Sequence, residues 1–471
     1  MELIGREREA AELRRCHAAA EPHFVAVYGR RRVGKTFLVR QVLGDALTFT
    51  VTGIAKAPMR VQLENFARSL RQHFGESPQV FSSWFDAFES LATCLKRLPE
   101  ATRKTIFLDE MPWMDTHKSG FVSALEWFWN GWCSARPDIL LIVCGSATAW
   151  ITKRLFRNTA GLHNRVTRRI EVAPFTLAEC AAYTEARGLV MTERELLEAH
   201  MVFGGIPYYL SLLEPQWSLA QNIGRLCFTA RGQLHGEFDN LYASLFARPD
   251  SHIAIVTALS RKRCGMTRDE IARATRLSPS GTLTRTLKEL AESCFIRAYR
   301  PYGRKSRGTV YQLIDFFTLF HFTFMTDAPD DEDYWVKYSL GGGHAAWSGL
   351  AFEQVCLAHT RQILAALGIG AVISHLTAWR SETVQPGAQV DLVIDRADQV
   401  VNLCEMKYAP GPYVVTKTVH DDLLNKRAAF IAETGVTRAV HLTLVTTFGV
   451  TRNKYSGDVQ SFVTSRDLFW S

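Results

Sequence analysis

The octapeptide Gly29-Arg30-Arg31-Arg32-Val33-Gly34-Lys35-Thr36 decides how this chain is read. It has the form G-x-x-x-x-G-K-[ST] and stands between an apolar run at 24–28 and a periodic stretch opening near Gly34. A strand, a glycine-bearing loop and a helix are expected in that order. Phosphate binding needs this arrangement: the glycines let backbone N–H groups curl around a β-phosphate at a helix N-terminus, where the dipole favours an anion. Lys35 is placed to reach the β- and γ-oxygens, and the Thr36 hydroxyl to ligate Mg²⁺.

A second motif completes the first. Residues 105–110, Thr-Ile-Phe-Leu-Asp-Glu, read as an apolar strand ending in two acids. Asp109 is expected to hold the Mg²⁺ shell, and Glu110 to orient and polarise an attacking water. A further strand, 139–144, runs into Gly145 and Ser146. Ser146 is either a polar group beside the γ-phosphate or a turn residue; both readings stand. With 47–51 and 169–172 as further strands and helical stretches at about 60–74, 84–98 and 120–134, the alternation argues for a parallel α/β sheet. From 177 to about 246 the pattern is helical, broken at Gly204-Gly205-Ile206-Pro207.

Composition sets the outer limits. The 471 residues suggest about three domains at roughly 150 residues each. A 47% apolar share with 22% charged residues excludes a mainly disordered chain. No apolar stretch approaches the roughly 20 residues that span a bilayer, so no membrane partner is expected. The polar N-terminus carries no signal-peptide core, and the ten cysteines form no C-x-x-C pair. A reducing, cytoplasmic setting is the expectation.

The phosphate-loop half resembles the archaeal-type ATPase family of the AAA+/STAND class, relatives of the archaeal origin-recognition proteins. The likeness rests on Leu3-Ile4-Gly5-Arg6-Glu7-Arg8-Glu9, similar to the family's adenine-side segment, and on the arginine-rich loop and the Leu108-Asp109-Glu110 strand end. It extends through Gly145-Ser146-Ala147 and Leu162-His163-Asn164-Arg165 to Gly204-Gly205-Ile206-Pro207. The family often shows Leu-Tyr-Gly-Arg where this chain has Leu162 to Arg165. The resemblance implies a P-loop NTPase core over 1–175 with ATP and Mg²⁺ as cofactors, and a helical lid over 176–247. Arg165 would match the family's arginine and approach the γ-phosphate in cis or from a neighbour; acting in trans it implies a homo-oligomer. Arg168 and Arg169 compete for that role.

The net charge of +8 is concentrated: residues 251–312 hold thirteen Lys/Arg against four acids. Thr267 and Glu270 form a capping-box pair that opens one helix, and Ser278-Pro279 leads into a second, 280–292. Two strand candidates, 294–299 and 309–313, flank the basic loop 301–308. That is the outline of a winged helix, placed at 248–325. Its second helix would enter the major groove of double-stranded DNA with Ser280, Thr282, Thr284, Arg285 and Lys288, while Arg304, Lys305 and Arg307 meet phosphates. Winged helices also serve as protein-packing modules; the charge excess favours DNA.

The acidic, breaker-rich segment 326–345 reads as a linker. Beyond it, 346–471 has a helix–strand–strand–helix–strand rhythm. Strands at 390–395 and 400–407 surround a turn at 396–399. A hairpin centred near residue 398 sets Asp391 opposite Glu405, with Lys407 on the same face. Two carboxylates and an ammonium converging there form a divalent-metal site. Glu353 lies on an otherwise apolar stripe of a helix at 347–364, where a buried acid needs a partner. Together Glu353, Asp391, Glu405 and Lys407 resemble the PD-(D/E)xK nuclease superfamily, with Val390 where proline is usual. The resemblance implies a restriction-endonuclease-like α/β domain in which Asp391 and Glu405, with the Met406 carbonyl, hold Mg²⁺ or Mn²⁺. Lys407 would position the water, and Lys426 and Arg427 would contact phosphates or face solvent.

The combined expectation is an ATP-binding, ATP-hydrolysing DNA-binding protein with a metal-dependent nuclease under nucleotide control. The alternatives are a nucleotide-switched DNA-binding regulator with an inactive last domain, and a signalling STAND protein whose basic module contacts protein.

Overall fold

The computed structural model describes residues 2–75, 79–157, 162, 164–246, 248–262, 264–303, 308–340, 345–381 and 388–470. The chain divides into two compact units, residues 1–174 and 175–471.

In the first unit, α1 (Glu7–Ala18) precedes β1 (His23–Tyr28), α2 (Lys35–Leu43), β2 (Leu47–Thr52), α3 (Met59–Phe74) and α4 (Trp84–Lys96). Then come β3 (Lys104–Asp109), α5 (Phe121–Gly131), β4 (Ile139–Gly145), the short α6 (Thr148–Ile151) and β5 (Arg168–Glu171). All five strands are parallel, in the order β2-β3-β4-β1-β5. The three central strands β3, β4 and β1 are almost wholly buried, as unbroken apolar runs in a parallel sheet should be. An aromatic layer of Phe49, Phe66, Trp84, Phe88, Phe121 and Phe128 packs α3, α4 and α5 on the sheet. Each of these six rings buries roughly 150–250 Å².

The second unit opens with five helices: α7 (Leu177–Ala186), α8 (Glu193–Phe203), α9 (Pro207–Ser211), α10 (Leu219–Cys227) and α11 (Glu237–Leu245). Gly204 and Gly205 both adopt left-handed backbone, at φ 63° and 66°. A Cβ on Gly205 would stand 2.2 Å from the Phe175 carbonyl oxygen, so only glycine makes this turn. Pro207 then starts α9 with its φ already helical.

A basic module follows: α12 (Asp250–Arg261), β6 (Met266–Thr267), α13 (Arg268–Thr275), α14 (Gly281–Glu292), β7 (Ile296–Tyr299) and β8 (Val310–Leu313). Its three strands form an antiparallel sheet in the order β6-β8-β7. The Thr267–Glu270 capping box forms in both directions.

Next, α15 (Phe316–Phe320) leads to α16 (Tyr334–Leu340), α17 (Ala345–Ala358) and α18 (Thr360–Ala366). The segment expected as a linker therefore contains a helix. Trp335 on α16 is buried and stacks on Phe228, with ring centroids 6.0 Å apart, so aromatic packing overrides the breaker-rich composition around it. The boundaries expected at 247, 325 and 345 all fall inside this one compact unit. The helix expected over 347–364 is interrupted at His359. That ring donates from Nδ1 to the Val355 carbonyl (2.8 Å) and accepts at Nε2 from the Leu177 N–H (3.0 Å).

The chain ends in β9 (Ser374–Arg380), β10 (Gln389–Arg396), β11 (Val400–Lys407), β12 (Tyr413–Val414), α19 (Lys417–Thr434), β13 (Ala439–Thr446), β14 (Val450–Thr451) and β15 (Ser461–Thr464). A mixed sheet runs β15-β13-β11-β10-β9, parallel from β11 outward to β15 and antiparallel from β11 to β9. The expected rhythm lacked β9 and β15, both edge strands of poor alternation. Leu423 and Phe430 of α19 cover Val393, Val401 and Leu403. All ten cysteines are free, eight of them buried. Among the described residues no helix is long and apolar enough to cross a membrane.

Candidate functional site

The loop Gly29–Thr36 leaves the end of β1 and enters α2. Gly29, at φ 138°, brings its Cα so near β5 that a Cβ would lie 2.3 Å from the Val172 oxygen. Gly34, at φ 89°, caps α2 and has nothing near the place of a Cβ, leaving the helix N-terminus open to a ligand. Arg32 also takes positive φ, 70°, where a non-glycine residue is strained. Lys35 is buried, and its ammonium donates to the Gly29 (3.0 Å) and Arg30 (2.7 Å) carbonyls. Burial pulls its pKa down, against the pull of nearby Cys144, Glu110 and Asp109.

The Thr36 hydroxyl donates to the Asp109 carboxylate, 3.0 Å from Oδ1 and 3.1 Å from Oδ2. Asp109 ends β3, while β4 lies between β3 and β1, so the two motifs meet across one intervening strand. Burial raises the Asp109 pKa, and the Thr36 hydrogen bond works in the other direction. A hydroxyl and a carboxylate at this spacing, beside an open helix N-terminus, suit a hydrated Mg²⁺ carrying phosphate oxygens. Cys144 on β4 also hydrogen-bonds Asp109, a contact that the sequence does not signal. Glu110 is in left-handed backbone, φ 45°. Its carboxylate accepts from the Ser146 hydroxyl (2.8 Å) and N–H (3.4 Å), so Ser146 is tied to the acid rather than free in a turn.

The three competing arginines part company. Arg168 pairs with Glu12 of α1 at 3.0 Å, Arg169 lies over the Phe156 ring at 4.3 Å, and Arg165 is exposed. His163 lies outside the described residues. The opening segment does reach the loop: Arg6 is buried and donates to the Val33 carbonyl at 3.4 Å.

In the basic module, α14 buries Leu283, Thr286, Leu287 and Leu290 and exposes Ser280, Thr282, Thr284, Arg285 and Lys288. Among the described residues, the ion pairs of Arg285 and Lys288 are long, 3.9 Å each, to Glu289 and Glu292. Arg304, Lys305 and Arg307 lie outside the described residues. The start of that loop is docked on the C-terminal sheet. The Tyr302 N–H donates to the Ala378 carbonyl of β9 at 2.7 Å, and its ring packs on Phe430 at 4.9 Å.

In the C-terminal sheet, β10 and β11 pair Leu392 with Cys404 through Asp395 with Val401, a register that carries Asp391 across from Glu405. Lys407 binds Glu405 Oε1 at 2.7 Å and Lys426 of α19 binds Oε2 at 3.0 Å. Lys426 also pairs with Asp422 at 3.1 Å, so it belongs to the carboxylate cluster. Gln389 donates to Asp391 Oδ1 at 2.6 Å. Burial, then Asp391 and Glu405, push the Glu353 carboxyl up to about 8. Burial likewise raises Asp391. Burial lowers Lys407 and Lys426, but Glu405 outweighs it and both rise. Among the described residues no three His, Cys, Asp or Glu side chains form a ready metal cage. A cation here must displace the lysines from Glu405. Arg297 of β7, whose charge is felt by both Asp391 and Glu353, was not foreseen, because it comes from about ninety residues upstream.

A five-stranded parallel sheet with this loop and this hydroxyl–carboxylate pair defines a P-loop α/β core. Residues 3–213 match the family model of an ATPase domain predominantly from Archaea. A Walker-type ATPase of Pyrococcus abyssi shares the fold, with TM-score 0.50 and 17% identity over 68% of this chain and 95% of that one. The Aeropyrum pernix ORC2 protein is similar at TM-score 0.43 and 14% identity, covering 72% of this chain and 96% of that one. A Pyrococcus horikoshii STAND protein with a tetratricopeptide-repeat sensor is similar at TM-score 0.30 and 18% identity, covering 78% of this chain and 49% of its own. No curated protein matches the sequence.

Proposed function

We propose that this protein binds and hydrolyses ATP, binds double-stranded DNA through the basic module, and carries a C-terminal metal-dependent nuclease under nucleotide control. The observation that carries the ATPase reading is the Thr36–Asp109 hydrogen bond beside the open N-terminus of α2. Magnesium-bound ATP supplies the transferable phosphoryl group. Lys35 and the N–H groups of residues 29–36 hold its phosphates, Thr36 and Asp109 hold the ion, and Glu110 orients water with Ser146 as its partner. Arg165 is the candidate to meet the γ-phosphate from a second copy.

The nuclease reading rests on the register that sets Asp391 across from Glu405. Residues 248–325, which hold the three-stranded sheet, are read as a winged helix and 346–471 as a restriction-endonuclease-like domain. Mg²⁺ or Mn²⁺ supplies Lewis acidity to a scissile phosphate. Asp391, Glu405 and the Met406 carbonyl would hold it, Lys407 would position water, and Glu353 would complete the acidic shell. Arg285 and Lys288 engage DNA, with Arg304, Lys305 and Arg307 proposed as phosphate contacts.

A second reading, a nucleotide-switched DNA-binding regulator with a silent last domain, is favoured by one observation: both Glu405 oxygens are held by lysines. Cleavage of plasmid and single-stranded DNA with Mg²⁺ or Mn²⁺, with and without ATP, decides between them. Cleavage lost in Glu405→Ala/Lys407→Ala establishes the nuclease. DNA binding without cleavage in any condition establishes the regulator.

A further inference from the structure

A cavity of about 250 Å³ lies within the second unit, bordered by α8, α12, α15 and α17 and by the strands β8 and β10. Leu259, Leu313, Phe316, Leu319, Trp347 and Leu350 give it an apolar wall. Set into that wall are Glu353 and Gln354 of α17 and Gln389 and Asp391 of β10. Among the described residues the two acids are the only charged groups of the lining; no Lys, Arg or His lines it.

Two of these polar side chains are unspent. Gln354 is 8% exposed, and among the described residues its carboxamide has no hydrogen-bond partner. It lines the cavity, so a partner for its two N–H donors and its carbonyl oxygen must come from there. Glu353, one residue earlier, likewise makes no hydrogen bond or ion pair among the described residues. The groups around them are already engaged. Gln389 donates to Asp391 Oδ1 at 2.6 Å, Lys407 and Lys426 hold Glu405, and Arg297 donates to Gln312 Oε1 at 2.7 Å. Burying an amide and a carboxylate without partners is costly, and native proteins keep few such groups. Two of them on one cavity point to a ligand.

The lining also sets the ligand's chemistry. Acids without a base select a cation, and the apolar wall asks for a hydrocarbon body. The volume is below the roughly 300–1,000 Å³ that takes drug-sized molecules, so that body is a single ring or a short chain. We propose that this cavity binds a small organic ammonium ion, its head on the Glu353 carboxylate and the Gln354 carbonyl oxygen and its body against Leu259, Leu313, Phe316 and Leu350. Such a ligand touches α12 and β8 of the basic module together with α17 and β10, so its binding tightens one part on the other. No metal ion enters this inference, and it stands apart from the nuclease reading: DNA cleavage reports on that one, amine binding on this one.

The test is calorimetric titration of the full chain, in EDTA, with 2-phenylethylamine, 2-phenylethanol and phenylacetate. The amine is expected to bind once per chain and about tenfold more tightly than the alcohol, and the anion not at all. Glu353→Gln should bring the amine down to the affinity of the alcohol. Gln354→Leu should weaken it about fivefold, and Leu350→Trp, which fills the space, should abolish binding of both. Hydrogen exchange of wild type with and without the amine needs no variant and decides alone where a variant fails to fold. Protection should rise over 347–354 and 312–319 together. An alcohol or anion bound as tightly as the amine overturns the proposal, as does amine affinity unchanged in Glu353→Gln. Protection that rises elsewhere and not in these two segments overturns it too. No amine binding at all makes this a hydrated cavity and overturns it as well.

Discussion

Glu110 is held at φ 45°, a conformation that costs a non-glycine residue about 1–3 kcal/mol, and its carboxylate accepts from the Ser146 hydroxyl. Glu110→Gln should keep ATP affinity and slow hydrolysis roughly 100-fold or more, checked by nucleotide binding beside phosphate release. Lys35→Ala should lose ATP binding; wild-type affinity in that variant would overturn the ATPase reading. At another residue, pH is the probe. His321 stacks on Phe238 at 4.3 Å, and burial pushes its pKa down to about 4. The unfolded chain, titrating near 6.5, takes up a proton that the folded chain refuses. Stability contributed by the neutral ring is therefore intact above pH 6.5 and lost as pH falls toward 4, by at most about 3.4 kcal/mol. His321→Phe should flatten that stretch of a melting-temperature–pH curve.

At the scale of elements, α14 and the turn before α9 are the informative pieces. Arg285 and Lys288 stand on the exposed face of α14 and, among the described residues, have only loose ion-pair partners. Replacing both with alanine should weaken DNA binding with little dependence on base sequence. The slope of log affinity against log salt should fall by about 2, as measured by a salt titration. Gly205→Ala forces a Cβ into the Phe175 carbonyl and the His200 ring, 2.9 Å away, at positive φ. Loss of about 1–3 kcal/mol or more is expected from denaturant unfolding. The fold of α17 into α18 follows the same logic: His359 spends both ring nitrogens on backbone groups of other turns, and the helix breaks there.

For the whole molecule, the partition into residues 1–174 and 175–471 puts the phosphate loop in one unit and the basic module and carboxylates in the other. If nucleotide state controls the second unit, ATP should alter cleavage or DNA affinity in wild type and leave Lys35→Ala unchanged. Mass measured with and without ATP reports whether Arg165 acts across copies.

Much of this was determined by the chain alone, because its signals are local. The loop 29–36, the Asp109-Glu110 strand end, the 2.0-residue alternation of the β10–β11 hairpin and the Thr267–Glu270 cap each lie within a few residues, where spacing dictates geometry. The parallel sheet followed from unbroken apolar runs. Only tertiary structure decided the rest. Lys426 meets Glu405, Gln389 holds Asp391, α16 packs Trp335 on Phe228, and Arg297 crosses from another sheet. Electrostatic pairing and aromatic packing act through space between segments far apart in the chain, and no periodicity in a sequence records which distant partner will arrive.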